Sequence, residues 1–137
     1  MKHTVTIQPY TEDSSREIAE LFYVAVHSIN PEAYSDQQKH AWAPKPIDYK
    51  FWQQRLNIKR PYLAFIDHQL SGFIELESDG HIDCLYTHPR FQGQGVASLL
   101  FDHIFSIAKA SNMARLYVEA SMLAKPFFEK RGFQLIA

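Results

Sequence analysis

Three strand-like runs that follow one another in the middle of the chain restrict its fold more than any other feature. They are Tyr62–Ile66, Leu70–Glu77 and His81–Thr87, and the short segments DHQ and SDG separate them. Such segments are typical of tight turns, and strand-like runs joined by tight turns pair as antiparallel strands. We therefore predict an antiparallel meander near the centre of the fold.

Further helices and strands are predicted on both sides of this meander, from helical spacing and from strand-like alternation. Before the meander these are a strand at Thr4–Gln8 and three helices, the first two beginning at the capping patterns Ser14-x-x-Glu17 and Ser35-x-x-Gln38 and the third following Asp48. After the meander they are a helix from Val96 to about Ser111, a strand at Arg115–Ala120, a helix at Leu123–Arg131 and a strand at Phe133–Ile136. The order β-α-α-α-β-β-β-α-β-α-β predicts one α/β domain over residues 1–137. Its central sheet is expected to be mixed, mostly antiparallel and flanked by helices.

The composition is that of a globular protein, and it argues against two classes of partner. Hydrophobic residues make up 46% of the 137 residues, enough for a sizeable core. The formal net charge is −1, so no basic excess indicates nucleic acid or an anionic membrane. No apolar stretch approaches the roughly 20 residues that span a bilayer. Cys84 is the one cysteine in the sequence, which favours a reducing cytoplasm.

The segment PRFQGQGVASLLF, from Pro89 to Phe101, joins the third strand of the meander to a helix. The first N–H groups of a helix have no partner within the helix and carry partial positive charge. Gly93 and Gly95 would leave these groups open to an anion such as a phosphate. The same glycines also suit an ordinary tight turn, so both interpretations stay open at this point.

Two known phosphate-binding loops can be compared with this segment. A Walker loop requires Gly-Lys-Ser/Thr, a tripeptide that the chain lacks, so that loop is excluded. A dinucleotide-binding loop requires G-x-G-x-x-G; here Ser98 stands at the third glycine position, and Glu119 ends the next strand at about the expected distance. Binding of a nicotinamide dinucleotide stays an alternative, although only one βαβ crossover is predicted.

A longer frame around the glycines resembles the GNAT superfamily of acyl-CoA-dependent N-acyltransferases. The frame begins with LYTHP at Leu85–Pro89, continues with the loop pattern Q/R-x-x-G-x-G/A at Gln92, Gly95 and Ala97, and ends with FFEKRGF at Phe127–Phe133. These elements occur in the order and spacing of that family. The resemblance implies a GNAT-like fold and transfer of an acetyl group from acetyl-CoA to a primary amine, without a metal.

The resemblance also implies where acetyl-CoA would bind. Its pyrophosphate would lie on the N–H groups of the glycine loop, and its pantetheine arm would pair with the strand before the loop. Gly93 is expected only to give the loop flexibility. The implied contacts are Leu85, Tyr86, Thr87, Gln92, Gly93, Gln94, Gly95, Val96, Ala97, Ser98 and Phe128.

Three residues are candidates for the base that takes the proton of the amine. Glu119 leads, because ribosomal-protein acetyltransferases of this family carry a glutamate at the corresponding strand position. His81 is second, because histone-type members place a glutamate near that position, and Asp83 lies on the same central strand. Each of the three is equally compatible with a structural role.

One position departs from the family pattern. Many members carry a tyrosine that protonates the departing thiolate, whereas this chain has Phe128 there. Tyr117, Ser121 and water are candidate replacements. Phe128 also leaves open a second function, that of a catalytically weak coenzyme A-binding or sensing module.

The acceptor site is expected, by the same resemblance, among the first helices. These helices and their connection are rich in aromatic residues, from which we select Trp42, Tyr34 and His27 as acceptor-binding candidates. The implied acceptor is a small-molecule or peptide amine. Family sheets end with a hairpin after the Gly-Phe segment, while this chain ends at Ala137 with that hairpin incomplete. Either a truncated chain or a homodimer that covers the sheet edge would account for this.

Overall fold

The computed structural model describes residues 4–120 and 124–134. A five-stranded sheet lies between helices, which confirms the predicted α/β class. Among the described helices, none is long and apolar enough to span a membrane. The elements are β1 Val5–Pro9, α1 Ser15–His27, α2 Asp36–Trp42, α3 Tyr49–Lys59, β2 Tyr62–Ile66, β3 Gln69–Leu76, β4 His81–Thr87, α4 Val96–Ala110, β5 Tyr117–Val118 and α5 Lys125–Glu129, with short 3₁₀ turns at Glu12–Ser14 and Pro89–Phe91.

The strands lie in the order β1-β2-β3-β4-β5. Strands β1 to β4 pair antiparallel, and β5 pairs parallel with β4 through the α4 crossover. The predicted meander is therefore confirmed, and β2 and β4 begin and end at the predicted residues. The described residues contain one parallel strand pair, whereas a dinucleotide-binding fold is built from successive βαβ units.

Alternation along the strands divides the core into two layers. Neighbouring residues of a strand point to opposite faces, so Ile74 packs on the α4 side while Phe73 packs against α1 and α3. Gly72 lets β3 and α4 approach closely, because a Cβ built there would lie 2.8 Å from Tyr86 O and from Val96 Cγ1. The sheet and α4 thus fix the position of the glycine turn that precedes α4.

The two predicted capping boxes have different outcomes. Ser35 Oγ accepts from the N–H of Gln38 at 3.1 Å, and Gln38 Oε1 accepts from the N–H of Ser35 at 2.7 Å, which confirms the box at α2. The box at Ser14 is wrong: the Ser14 side chain makes no capping hydrogen bond with the described residues. Ser14 ends a 3₁₀ turn with φ −92° and ψ −2°, and an N-cap hydroxyl needs extended backbone to reach the N–H groups ahead of it.

The elements after α4 are shorter than predicted. β5 covers Tyr117–Val118, not Arg115–Ala120, because it pairs with β4 over two residues and then diverges. The helix predicted at Leu123–Arg131 is Lys125–Glu129 in the described part of the chain. Of the strand predicted at Phe133–Ile136, residues 133 and 134 have no regular structure, and the remainder lies outside the described residues.

Candidate active site

The glycine turn holds two residues in the left-handed region of backbone conformation. Gly93 has φ 77° and Gly95 has φ 81°, and Gly95 is the N-cap of α4. Only glycine adopts these angles readily, so Gly93 is required by the backbone and does more than give flexibility. A Cβ built at either glycine would meet no described atom within 4 Å. The N-terminus of the 15-residue helix α4 therefore faces open space, as an anion site requires.

A cleft of about 530 Å³ opens beside this turn, and we call it the glycine cleft. It forms because β4 and β5 pair only at His81–Tyr117 and Ile82–Val118 and then separate. Its wall includes ten of the eleven predicted acetyl-CoA contacts; Gln94 is the exception. The residues shared by the prediction and the wall are Leu85, Tyr86, Thr87, Gln92, Gly93, Gly95, Val96, Ala97, Ser98 and Phe128.

A second cleft of about 370 Å³ adjoins the glycine cleft along β4, and we call it the aromatic cleft. Six aromatic side chains line it, together with three charged side chains. Trp42, Asp83, Cys84 and Tyr86 line both clefts, so the two clefts meet along these residues. The aromatic and charged lining residues are Phe22, Tyr23, Trp42, Phe51, Trp52, Tyr86, Asp48, Arg55 and Asp83.

Of the three predicted acceptor residues, the structure places Trp42 in this cleft. The ring of Tyr34 packs edge-on against Trp42 at 5.5 Å, behind the cleft wall. His27 Nε2 lies 2.8 Å from the carbonyl oxygen of Ala43, so the imidazole fixes the residue after α2. Neither Tyr34 nor His27 belongs to the described lining of either cleft, and both support Trp42 from outside.

A chain of charged side chains runs from the aromatic cleft to Glu119. Arg55 contacts Glu75, which is fully buried, and also lies 3.1 Å from Asp83. Lys59 continues the chain, with its Nζ 2.9 Å from an Asp83 oxygen and 3.4 Å from a Glu77 oxygen. Glu75, Asp83 and Cys84 bring potential ligand atoms within 4.8 Å of one another, but the cation that the two carboxylates bind is Arg55.

The end of this series of charged side chains that lies away from the aromatic cleft contains two of the predicted catalytic residues, His81 and Glu119. His81 Nδ1 lies 2.6 Å from Glu77, and His81 Nε2 lies 3.3 Å from Glu119. The ring of Tyr117 stacks on His81 at 4.9 Å. Glu119 lines the glycine cleft and its side chain is 87% exposed, so its carboxylate is open to solvent on the cleft side. His81 is in contact with Glu119 and is not part of the cleft wall described here.

Asp83 is held in its ionised form. Burial alone would raise the pKa of its carboxyl, but the hydrogen bond and charge of Lys59, with the charge of Arg55, outweigh burial and lower this pKa. The hydrogen bond from His81 likewise lowers the pKa of Glu77. A carboxylate with a lowered pKa accepts a proton less readily, which argues against Asp83 as the base.

Sequence reasoning missed the role of Arg55 and Lys59. A signal was present, since these two residues lie four apart on α3 and therefore on one face of the helix. Glu75 and Glu77 lie two apart on one face of the central sheet. The pairing of these two cations with the carboxylates depends on how α3 crosses the sheet. The spacing of residues along the chain does not predict that crossing.

Comparison with known proteins decides the family. The family model described as "Acetyltransferase (GNAT) domain" matches residues 30–137. The chain belongs to the GNAT acetyltransferase family. It is 33% identical over 134 residues to the uncharacterized N-acetyltransferase YafP of Escherichia coli K12, covering 98% of this chain and 84% of that relative.

Solved GNAT structures share the fold. A GCN5-related N-acetyltransferase from Rhodopseudomonas palustris is 30% identical, with a TM-score of 0.87 over 96% of this chain and 82% of that chain. A PaiA N-acetyltransferase from Thermoplasma acidophilum, solved in complex with coenzyme A, is 18% identical, with a TM-score of 0.75 over 96% of this chain and 91% of that chain. The second likeness concerns the fold alone.

Within this GNAT fold, Phe128 is part of the core. It is 4% exposed, lies at the edge of the glycine cleft, and packs against Phe101 and Phe133. Tyr117, one candidate replacement for the missing tyrosine, already donates its hydroxyl hydrogen bond to Asp79. Ser121, the other suggested side chain, lies outside the described residues. Burial raises the pKa of Tyr86, which also lines the cleft, so this phenol keeps its proton.

Proposed function

We propose that this protein transfers an acetyl group from acetyl-CoA to a small primary amine, with the two bound in the adjoining clefts along β4. The observation that carries the proposal is the glycine cleft, which opens where β4 and β5 separate and has the glycine turn of α4 at its edge. The coenzyme A complex of the Thermoplasma relative supports the choice of ligand.

The residues around the glycine cleft fit the parts of acetyl-CoA. The N–H groups of residues 93–97 would hold the pyrophosphate, since two left-handed glycines and the N-terminus of α4 leave them open, while the N–H of Gln92 donates to the carbonyl of Pro89. The backbone of Leu85 to Thr87 would pair with the pantetheine arm, because the separation of β5 leaves that edge of β4 uncovered in the described chain. Acetyl-CoA would supply an acetyl thioester at this position.

Glu119 is the proposed base, and His81 and Glu77 hold it in place. An alkylamine with a pKa near ~10.4 is protonated at neutral pH and must lose a proton before it can attack. Glu119 takes the first proton from the ammonium, directly or through water; the free amine nitrogen then forms a bond to the acetyl carbon, the carbon–sulfur bond breaks, and the nitrogen releases its second proton to solvent. The electron pair of the broken bond stays on sulfur as a thiolate.

The departing thiolate requires no strong acid. A thiol of this kind has a pKa of about 8.5, so the thiolate is a tolerable leaving group at neutral pH. Phe128 has no proton to donate, and a general acid is typically worth about 10² to 10⁴ in rate. This same observation favours the second candidate function, a coenzyme A-binding or sensing module with weak catalysis.

Acetyl-CoA with a panel of primary amines separates the two functions, with free thiol as the readout. Release of thiol that depends on the amine is expected. Tight binding of acetyl-CoA without thiol release from any amine would favour the binding module. Thermal stabilisation by a nicotinamide dinucleotide, with none by acetyl-CoA, would contradict both.

A further inference from the structure

The aromatic cleft has a wall of connected ring faces and edges. Phe22 lies at its centre, with its ring 4.8 Å from Trp52 and 5.0 Å from Tyr86. Trp42 and Phe51 extend the wall, at 6.4 Å from Tyr86 and 6.5 Å from Trp52. Such a surface favours a flat aromatic ligand, because ring pairs gain by offset or edge-to-face contact beyond the area they bury. It also favours an ammonium group over a ring face.

The size of the aromatic cleft points to a whole small molecule. Its volume of about 370 Å³ is near the lower end of the range of about 300–1,000 Å³ that is typical of small-ligand sites. Pro44, Pro46 and Ile47 complete the apolar wall next to Trp42. The wall shared with the glycine cleft brings a bound amine close to β4, where the acetyl group is expected.

The charges of the aromatic cleft distinguish amines that carry a carboxylate from amines that do not. Arg55 is the one cation in the described lining, and its guanidinium is already bound to Glu75 and Asp83. A substrate carboxylate that formed an ion pair with Arg55 would compete with Glu75 and leave this buried carboxylate without its cation. One oxygen of Glu75, Oε1, already lacks a hydrogen-bond partner among the described residues. Asp48 and Asp83 repel a carboxylate and attract an ammonium.

We propose that the acceptor is a small aromatic primary amine without a carboxylate, bound in the aromatic cleft with its ring among Phe22, Trp42 and Trp52 and its nitrogen toward Asp83. This inference rests on the proposed acetyl transfer and adds the class of acceptor. The proposal excludes free amino acids, lysine side chains and polyamines as the preferred acceptors.

Pairs of amines that differ in one group test the inference. Phenethylamine and phenylalanine differ by the carboxylate, as do tryptamine and tryptophan, while 2-cyclohexylethylamine replaces the aromatic ring of phenethylamine by a saturated one. Lysine and spermidine represent the other classes. We expect kcat/KM for phenethylamine to exceed that for phenylalanine by about a hundredfold or more, because the acid would disrupt buried ion pairs. Equal values, or a preference for lysine or spermidine, would overturn the inference.

Two matched variants test the placement of the acceptor. Phe51 is 53% exposed and lines the aromatic cleft, whereas Phe105 is 46% exposed on α4, away from both described cleft walls. Phe51→Ala should raise KM for phenethylamine about tenfold, and Phe105→Ala should leave it unchanged.

Asp83→Asn should lower the ratio of kcat/KM for phenethylamine over phenylalanine by about tenfold, since an N–H of Arg55 is then free to bind a carboxylate of the substrate. An unchanged ratio, or equal effects of the two phenylalanine variants, would count against the inference.

Calorimetric titration of the coenzyme A-saturated protein separates this inference from the proposed function. If phenethylamine binds and phenylalanine does not, the inference is supported even where no thiol is released, and only the transfer reaction fails. If thiol is released with spermidine or lysine while phenethylamine neither binds nor reacts, the transfer reaction stands and the inference is overturned.

Discussion

The glycine cleft and the aromatic cleft share β4 as a common wall, yet they are built from different parts of the chain. The glycine cleft is formed by backbone: two left-handed glycines, the N-terminus of α4 and the uncovered edge of β4. The aromatic cleft is formed by side chains of α1, α2, α3 and β4, which come together only in the folded protein. Backbone geometry suits a ligand that all members of a family share, whereas side chains can select one acceptor.

The difference predicts how each cleft responds to substitution. A change in the glycine turn should remove acetyl-CoA binding whatever the acceptor. A change at a residue that lines the aromatic cleft alone, such as Phe51, should alter the choice of acceptor and leave acetyl-CoA binding intact.

Glu119→Gln should have the largest effect, and it should act on the rate and not on binding. We expect kcat to fall by about 10² to 10⁴, the usual contribution of a general base, with acetyl-CoA affinity unchanged. Glu129→Gln is the matched control, because Glu129 is exposed on α5 outside both cleft walls. An unchanged kcat in Glu119→Gln would assign the base elsewhere.

Gly95→Glu should weaken acetyl-CoA binding by roughly a hundredfold, which is about 2.8 kcal/mol. It places an acid where an anion is expected and strains a backbone with φ 81°. Thermal shift with acetyl-CoA measures the loss. Gly132→Glu is the control, since Gly132 has φ 88°, and a Cβ there also meets no described atom within 4 Å. Equal loss of the shift in both variants would show that strain, not the anion site, is responsible.

Asp83→Asn should lower stability at neutral pH by about 2 kcal/mol, because a hydrogen-bonded charge pair is lost. The folded pKa of Asp83 is lowered, so its contribution is fully present above the unfolded pKa of about 3.9 and is lost as the pH falls through the lower folded value. Urea denaturation at several pH values should show the two proteins converging in acid. Asp102→Asn, exposed on α4, should differ little from wild type throughout. A constant gap for Asp83→Asn would contradict the ion-pair assignment.

Ser35→Ala should have the smallest effect, about 1 kcal/mol of stability, because it removes the capping box of the helix that carries Trp42. Ser14→Ala should cost close to nothing, since Ser14 makes no capping hydrogen bond in the described structure. Denaturant midpoints measured side by side check both values. The reverse order would mean that the caps are assigned to the wrong helix.

The same division explains how much of the molecule the sequence predicts. The meander and the glycine turn follow from local patterns, namely strand alternation, short turns and a fixed glycine spacing, and the structure has β2 and β4 where these patterns place them. The aromatic cleft depends on contacts across long separations, such as Arg55 with Glu75 and Asp83. Local spacing does not predict such contacts, which is why the sequence does not indicate Arg55 and does not show that Tyr34 and His27 lie outside the described lining of both clefts.

Calorimetric titration of coenzyme A into wild type, Gly95→Glu and Phe51→Ala measures whether the glycine cleft and the aromatic cleft bind their ligands separately. If the two clefts are separate sites on β4, Gly95→Glu should lose about a hundredfold in affinity for coenzyme A. Phe51→Ala should bind it within about twofold of wild type, because Phe51 lies in the aromatic cleft alone. Weakened binding in Phe51→Ala together with normal binding in Gly95→Glu would contradict the claim.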